Sequence, residues 1–130
     1  MQSFNLFVSL IIISLFIGAC SDDAEPNEIF LGSYTAQKFC NDEDLFVSQI
    51  MPGALGTDII WANAAGEDGT EDDLIGTVSG NTIIINQQSI GGGLEMSGSG
   101  TLQDNGNIKM ATVVHAGSIQ VSCNITFTPQ

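Results

Sequence analysis

Apolar and polar residues alternate one by one along most of the chain after residue 28, and this alternation limits the possible folds more than any other feature. In the last segment, Ile119, Val121, Cys123, Ile125 and Phe127 alternate with Gln120, Ser122, Asn124, Thr126 and Thr128. A period of two is that of a β-strand with one buried face and one solvent-facing face. No helical spacing persists past the glycines of this region, so the pattern predicts an all-β fold.

Three turn sequences support this prediction, because the length of a hairpin loop decides which residues face each other. Each loop, taken at a favoured length, sets one buried-face residue opposite another. The pairs are Val78 with Ile83 across Gly80-Asn81, Leu102 with Ile108 across Asp104-Asn105-Gly106, and Val114 with Ile119 across Ala116-Gly117. Matching parity in three hairpins indicates antiparallel strands that follow one another in sequence order.

Eight strands are predicted in this way. They span residues 29–37, 45–51, 57–63, 74–79, 82–87, 94–103, 107–115 and 118–128. Short connections favour pairing between strands that are adjacent in sequence. We therefore expect a single antiparallel up-and-down meander barrel of about eight strands, in which the last strand closes against the first.

The N-terminus has a different character from the rest of the chain. Residues 6–17 are almost all Leu, Ile, Val and Phe, and Gly18-Ala19-Cys20 follows. This apolar core is shorter than the about 20 residues of a membrane-spanning helix and fits a signal peptide. The segment from Ile17 to Cys20 resembles the lipobox of bacterial lipoproteins, which implies cleavage after Ala19 and a palmitate-type lipid on Cys20.

The two other cysteines, Cys40 and Cys123, form an even pair in an oxidising compartment, where disulfides persist. We predict that they are bridged. Closure of the barrel lays the last strand beside the first, which brings Cys123 near Cys40. The predicted disulfide therefore favours a closed barrel over an open sheet.

These features divide the chain into a signal peptide (1–19), a lipidated cysteine with an acidic tether (20–28) and a barrel (29–130). The acids after Cys20 resemble the export signal of surface lipoproteins in Bacteroidota. The segment Phe30-Leu31-Gly32-Ser33-Tyr34 resembles the Gly-x-Trp start of lipocalin-like barrels, with Tyr34 in place of Trp. Together these resemblances imply a lipocalin-like β-meander anchored by its lipid at the outer membrane or cell surface.

Charge narrows the choice of partners. The sequence has 15 acidic residues against two lysines, Lys38 and Lys109, and a formal net charge of −13. Such a field repels nucleic acids and attracts cationic molecules, although it also serves solubility. We therefore expect no nucleic-acid partner.

No constellation of residues indicates catalysis. The single histidine, His115, is predicted on an outward face, and both thiols of the barrel are assigned to a disulfide. The acids lie in loops or, for Glu95, on the solvent-facing side of a strand. The sequence therefore predicts a protein that is not an enzyme and needs no cofactor.

An acidic cluster lies between the third and fourth predicted strands. Carboxylate oxygens are suitable ligands for Ca²⁺, but the spacing here matches no known calcium loop. A solvated hairpin tip is the favoured interpretation, and no metal site is predicted. The weak calcium candidates are Glu67, Asp68, Glu71, Asp72 and Asp73.

Two further patterns bear on binding. Ile60, Ile75 and Ile84 are predicted on the outer faces of the middle strands, as scattered side chains or as a partner surface. Glycines at 98 and 100 are predicted on an inner face, where they bend the strand, admit a large neighbour such as Trp61 or leave space for a ligand. The segment 97–100 also resembles the Ser-Gly segment of lysozyme-inhibitor lipoproteins.

We therefore expect the protein to act as a binding module. Two alternatives remain open at this point: inhibition of a cationic enzyme such as lysozyme, and carriage of a small apolar ligand. Acidity favours a cationic partner, whereas glycines on inner faces favour either tight packing or a cavity.

The lipid anchor yields a direct prediction. Replacing the only lipid-accepting residue, Cys20→Ser, should abolish incorporation of radiolabelled fatty acid and leave the protein unprocessed or released from the membrane. Label that persists in the variant would contradict the assignment of Cys20.

Overall fold

The computed structural model describes residues 24–64 and 73–130, and these form an antiparallel barrel. Its strands are β1 (Gly32–Phe39), β2 (Glu43–Pro52), β3 (Asp58–Ala62), β4 (Leu74–Ser79), β5 (Thr82–Gly91), β6 (Leu94–Leu102), β7 (Ile108–Ala116) and β8 (Ile119–Pro129). Each strand pairs with its neighbours in sequence, and β8 pairs with β1, so the barrel is closed. The predicted fold class is confirmed.

Two of the three predicted hairpin registers are confirmed. Val78 lies opposite Ile83, and Leu102 lies opposite Ile108 with Gly106 left-handed at φ +88°. In the third hairpin the predicted pairing was wrong by two residues, because the turn lies one residue later than predicted. The β7–β8 turn consists of Gly117 and Ser118, because Gly117 is the residue that adopts the required positive φ, at +63°.

The corrected turn changes the partners in the last hairpin but keeps every side chain on its predicted face. Val114 lies opposite Val121, and Ala116 lies opposite Ile119. A shift of two residues leaves the parity of a strand unchanged, which explains why alternation alone did not reveal the error.

A short 3₁₀ helix, Glu28–Phe30, precedes β1 and replaces the predicted start of the first strand at residue 29. The backbone N–H of Asn27 donates to the carbonyl of Gly56, which ties this segment to the loop after β2. Phe30 is fully buried, and the Tyr34 hydroxyl donates to its carbonyl at 2.7 Å. Burial raises the pKa of the Tyr34 phenol. We call the end of the barrel that holds this helix the lower end.

Aromatic side chains fill the lower part of the barrel. The fully buried rings of Trp61 and Phe127 meet edge to face, with 5.3 Å between their centroids. The Trp61 indole N–H donates to the Ser48 hydroxyl at 2.7 Å, and this hydroxyl donates to the Ala62 carbonyl at 2.8 Å. The polar atoms in this layer are therefore satisfied, as a buried location requires.

The seam between the first and last strands carries the predicted disulfide. Phe39 of β1 lies opposite Asn124 of β8, and the next residues in each direction, Cys40 and Cys123, are covalently joined. Both cysteines have the inward-facing parity of their strands. The bridge therefore continues the β1–β8 ladder by one step beyond its last residue pair.

All eight strands find both of their neighbours within residues 32–129, so the barrel is complete without the N-terminal segment. Cys20 and the proposed signal peptide lie outside the described residues, as does the segment 65–72. In the part of the chain that the structure describes, no helix is long and apolar enough to cross a membrane.

Removing the bridge should destabilise the barrel, because the two cysteines are 83 residues apart in sequence. On the chain-entropy account, a loop of this size contributes about 4 to 5 kcal/mol. We expect a Cys40→Ser, Cys123→Ser double variant to lower the free energy of unfolding by about that amount in urea titrations. Reduction of the wild-type protein should reproduce the loss; equal midpoints for all three samples would refute a stabilising bridge.

Candidate functional site

The barrel is uneven at its upper end, opposite the 3₁₀ helix. The β1–β8 ladder ends at Phe39 and Asn124, whereas the β7–β8 ladder continues to Ala116 and Ile119. Residues 119–122 of β8 therefore extend past the end of β1. The ladders between β5 and β7 also reach this height. The wall formed by β5 to β8 is thus taller than the wall at β1. At the top of the taller wall, β1 no longer covers the inward-facing residues as it does lower down.

Inward-facing apolar side chains remain exposed on this taller wall. Ile119 is 65% exposed and Leu94 is 36% exposed, while Val114 and Val121 lie directly opposite each other and are partly exposed. We call these four residues the apolar rim. The sequence had assigned Ile119 to a uniformly buried face, which is wrong because β1 is too short to cover the start of β8.

A buried hydroxyl lies one layer below the rim. Thr112 occupies the inward-facing position two residues before Val114 on β7 and lies opposite Cys123 on β8. Its side chain is 1% exposed, and its Oγ1 has no hydrogen-bond partner in the structure. Two residues along a strand span about 7 Å, so this hydroxyl lies about that far below the rim valines.

Atoms of β7 occupy the space beside the inner-face glycines of β6. A Cβ at Gly98 would lie 2.6 Å from the Ala111 carbonyl oxygen and 2.9 Å from the Thr112 Cγ2. At Gly100, the nearest atom would be the Met110 methyl, at 3.1 Å. The nearest atoms at both glycines therefore belong to β7, and Trp61 is not among them.

The Thr112 side chain packs against Gly98. Its methyl carbon, Cγ2, is among the atoms nearest to where a Cβ at Gly98 would lie, so the methyl group occupies the space next to β6. The absence of a side chain at Gly98 therefore gives the Thr112 methyl group room to pack against β6. The Ser-Gly segment around it lies within a strand that is paired on both sides.

Acidic residues dominate the connections at the upper end. Asp42, Glu43 and Asp44 lie in and after the β1–β2 turn, and the exposed Asp73 immediately precedes β4. Lys38 faces inward near the same end, with its ammonium 3.9 Å from an Asp44 carboxylate oxygen and 5.6 Å from the centre of the Phe46 ring. The resulting field disfavours anions at the rim.

Most of the predicted acidic cluster cannot be placed. Glu67, Asp68, Glu71 and Asp72 lie outside the described residues, and Asp73 is exposed. Within residues 24–64 and 73–130, no three potential metal-ligating side chains come together. The calcium interpretation stays a weak hypothesis.

The predicted isoleucines lie on the outer wall. Ile60 is directly opposite Ile75, and Met51, which the sequence analysis did not single out, extends this row on β2. Ile84 lies opposite Thr77, after which the β4–β5 ladder ends and the Gln88 side-chain amide bonds the backbone N–H and carbonyl of Ile75. Nothing in the structure shows what would cover this row, so its role as a partner surface stays a prediction.

A shallow polar concavity of about 470 Å³ lies on the opposite outer wall, across β6, β7 and β8. Its central row sets Lys109 directly between Thr101 and Thr126. Its polar lining comes from the outward-facing residues of a regular sheet, and Thr112 is not among its lining residues. The apolar rim above Thr112 is therefore the stronger candidate site.

Comparisons with known proteins bear on the fold alone. No family model matches the chain, and no curated protein matches it. The solved structure of EF1p2_mFAP2b bound to DFHBI is similar, with a TM-score of 0.56 over 84% of this chain and 100% of that one. The two sequences are 14% identical, so the similarity supports the barrel architecture.

Proposed function

We propose that the protein is a lipid-anchored binding module at the outer membrane or cell surface, and that its barrel binds a small apolar ligand at the apolar rim. The observation that carries this proposal is the exposure of inward-facing apolar side chains where β8 extends past β1. Covering such side chains stabilises a complex by roughly 25 cal/mol per Å² of apolar surface removed from water.

The neighbouring packing suits an adaptable site. Met96 lies directly opposite Val114, in the same cross-strand row as the two rim valines, and is buried. A methionine side chain is unbranched and flexible, so it can repack around ligands of different shape. The rigid aromatic layer around Trp61 and Phe127 lies further down and would limit how deeply a ligand enters.

The similar barrel structure supports the proposal indirectly. EF1p2_mFAP2b is bound to DFHBI in that structure, so a barrel of this general shape is compatible with a ligand. The acidic connections at the upper end further restrict the ligand of the present protein. We expect it to be neutral or cationic, because a carboxylate would approach Asp42, Asp44 and Asp73.

A neutral fluorescent probe, N-phenyl-1-naphthylamine, tests the site on the complete barrel, residues 24–130. Wild-type protein should bind it, and Ile119→Asp should weaken binding at least tenfold by placing a charge in an apolar contact. Leu55→Asp is the matched control, because Leu55 is 66% exposed in the loop at the lower end. Equal weakening by both variants, or no binding by the wild type, would refute the proposed site.

A second candidate is a basic protein partner, such as a cationic enzyme of the lysozyme type. The observation that favours it is the concentration of Asp42, Glu43, Asp44 and Asp73 at the open end of the barrel. Opposite charges on two proteins accelerate their encounter at low ionic strength. Such a partner would approach the same end as the apolar ligand.

The basic-partner hypothesis predicts a salt-dependent association rate. Inhibition of a lysozyme and the rate of its association with the barrel should be measured at about 10 mM and 150 mM salt. The screening length falls from about 30 Å to about 8 Å between these conditions, so association should be slower at the higher salt concentration. A triple variant, Asp42→Asn, Glu43→Gln and Asp44→Asn, should slow association more than a control with the same charge change at Glu25, Glu28 and Asp104. Absence of inhibition at low salt would exclude lysozyme as the partner.

A further inference from the structure

Among the described residues of the barrel interior, Thr112 has a hydroxyl whose hydrogen-bonding capacity is unused. The buried hydroxyls of Ser48 and Tyr34 both have partners: Ser48 accepts from Trp61 and donates to Ala62, and Tyr34 donates to the Phe30 carbonyl. Thr112 is equally buried, yet its Oγ1 contacts no hydrogen-bonding group in the structure. A buried hydroxyl without a partner is destabilising, which makes this position unusual in a well-packed interior.

The position of Thr112 relates this hydroxyl to the apolar rim. Val114 and Val121 form one cross-strand pair, and Thr112 with Cys123 forms the next inward-facing pair below it. A molecule that enters between the rim side chains and displaces the flexible Met96 would reach the Thr112 layer after about 7 Å. The Thr112 methyl group packs against Gly98, and the hydroxyl beside it has no partner within the protein, so its hydrogen-bonding capacity is available to such a molecule.

We propose that the ligand of the apolar rim carries one uncharged hydrogen-bonding group, a hydroxyl or a carbonyl, at the end that enters the barrel, and that Thr112 Oγ1 binds this group. The inference rests on the proposed function and specifies its ligand class. A threonine hydroxyl can both donate and accept, so it suits either group.

The surroundings of Thr112 favour an uncharged group over an ionised one. The nearest inward-facing neighbours on its two adjacent strands are Gly98 and the bridged Cys123, and neither carries a charge. A buried carboxylate or ammonium would need a paired charge in this layer. Lys38 faces inward at the upper end, but its ammonium lies 3.9 Å from Asp44, so a carboxylate ligand would compete with that acid.

Naphthalene and 2-naphthol provide a matched pair of probes that differ by a single hydroxyl. Binding to the 24–130 barrel can be followed by the amide resonances of residues 112, 114 and 121 in NMR titrations. Wild-type protein should prefer 2-naphthol by about tenfold, the effect of one net hydrogen bond of about 1.4 kcal/mol. Thr112→Val should remove this preference by weakening only the 2-naphthol complex.

Thr112→Ser retains the hydroxyl and should keep the preference. Urea unfolding serves as the folding control, and Thr112→Val should be at least as stable as the wild type because it removes an unpartnered polar group. Equal binding of both probes by the wild type, or a preference that survives in Thr112→Val, would overturn the role of Thr112 while leaving the rim site standing. If neither probe binds, the proposed function itself fails.

Discussion

The pairing of β8 with β1 is the interaction on which the rest of the structure depends. It converts a meander with two unpaired edges into a closed barrel, in which residues 34–39 of β1 are paired with residues 124–129 of β8. The disulfide between Cys40 and Cys123 lies at the end of this ladder and joins the two strands where their pairing stops. Above that point, β8 continues without β1.

The difference in strand length separates the barrel into two regions that differ in the burial of apolar side chains and in the pairing of polar atoms. In the lower region, rings and aliphatic side chains are buried and the polar atoms of Ser48 and Trp61 satisfy each other. In the upper region, Ile119 is exposed to solvent and the Thr112 hydroxyl has no partner. Both features are unfavourable in an isolated barrel, and they lie on the same wall, with the Val114–Val121 pair between them. Their proximity is what makes the upper end the best candidate for binding.

Charge and shape act together at this end. The acids of the β1–β2 turn and Asp73 give the approach to the rim a negative potential, whereas the rim itself is apolar. The negative potential therefore favours a ligand with a neutral or positive charge, and the apolar rim favours a ligand with an apolar surface. A small apolar molecule and a basic protein with an apolar contact residue both meet these conditions, and the same face of the molecule would receive either.

The sequence by itself determined the barrel. Strict alternation, turn glycines and an even pair of cysteines are local signals, and each of them pointed to an antiparallel meander closed by a bridge. These signals predict the face on which a side chain lies but not whether a neighbour covers it, so the sequence did not reveal the exposure of Ile119. A shift of two residues leaves every side chain on its face, so the sequence also did not reveal the position of the β7–β8 turn. The alternation also could not show that Thr112 Oγ1 lacks a partner, or that atoms of Ala111 and Thr112 are the nearest neighbours of Gly98. Only the tertiary structure decided the site, because the site arises where strands of unequal length meet, and the relative heights of strands distant in sequence are set by packing across the whole barrel.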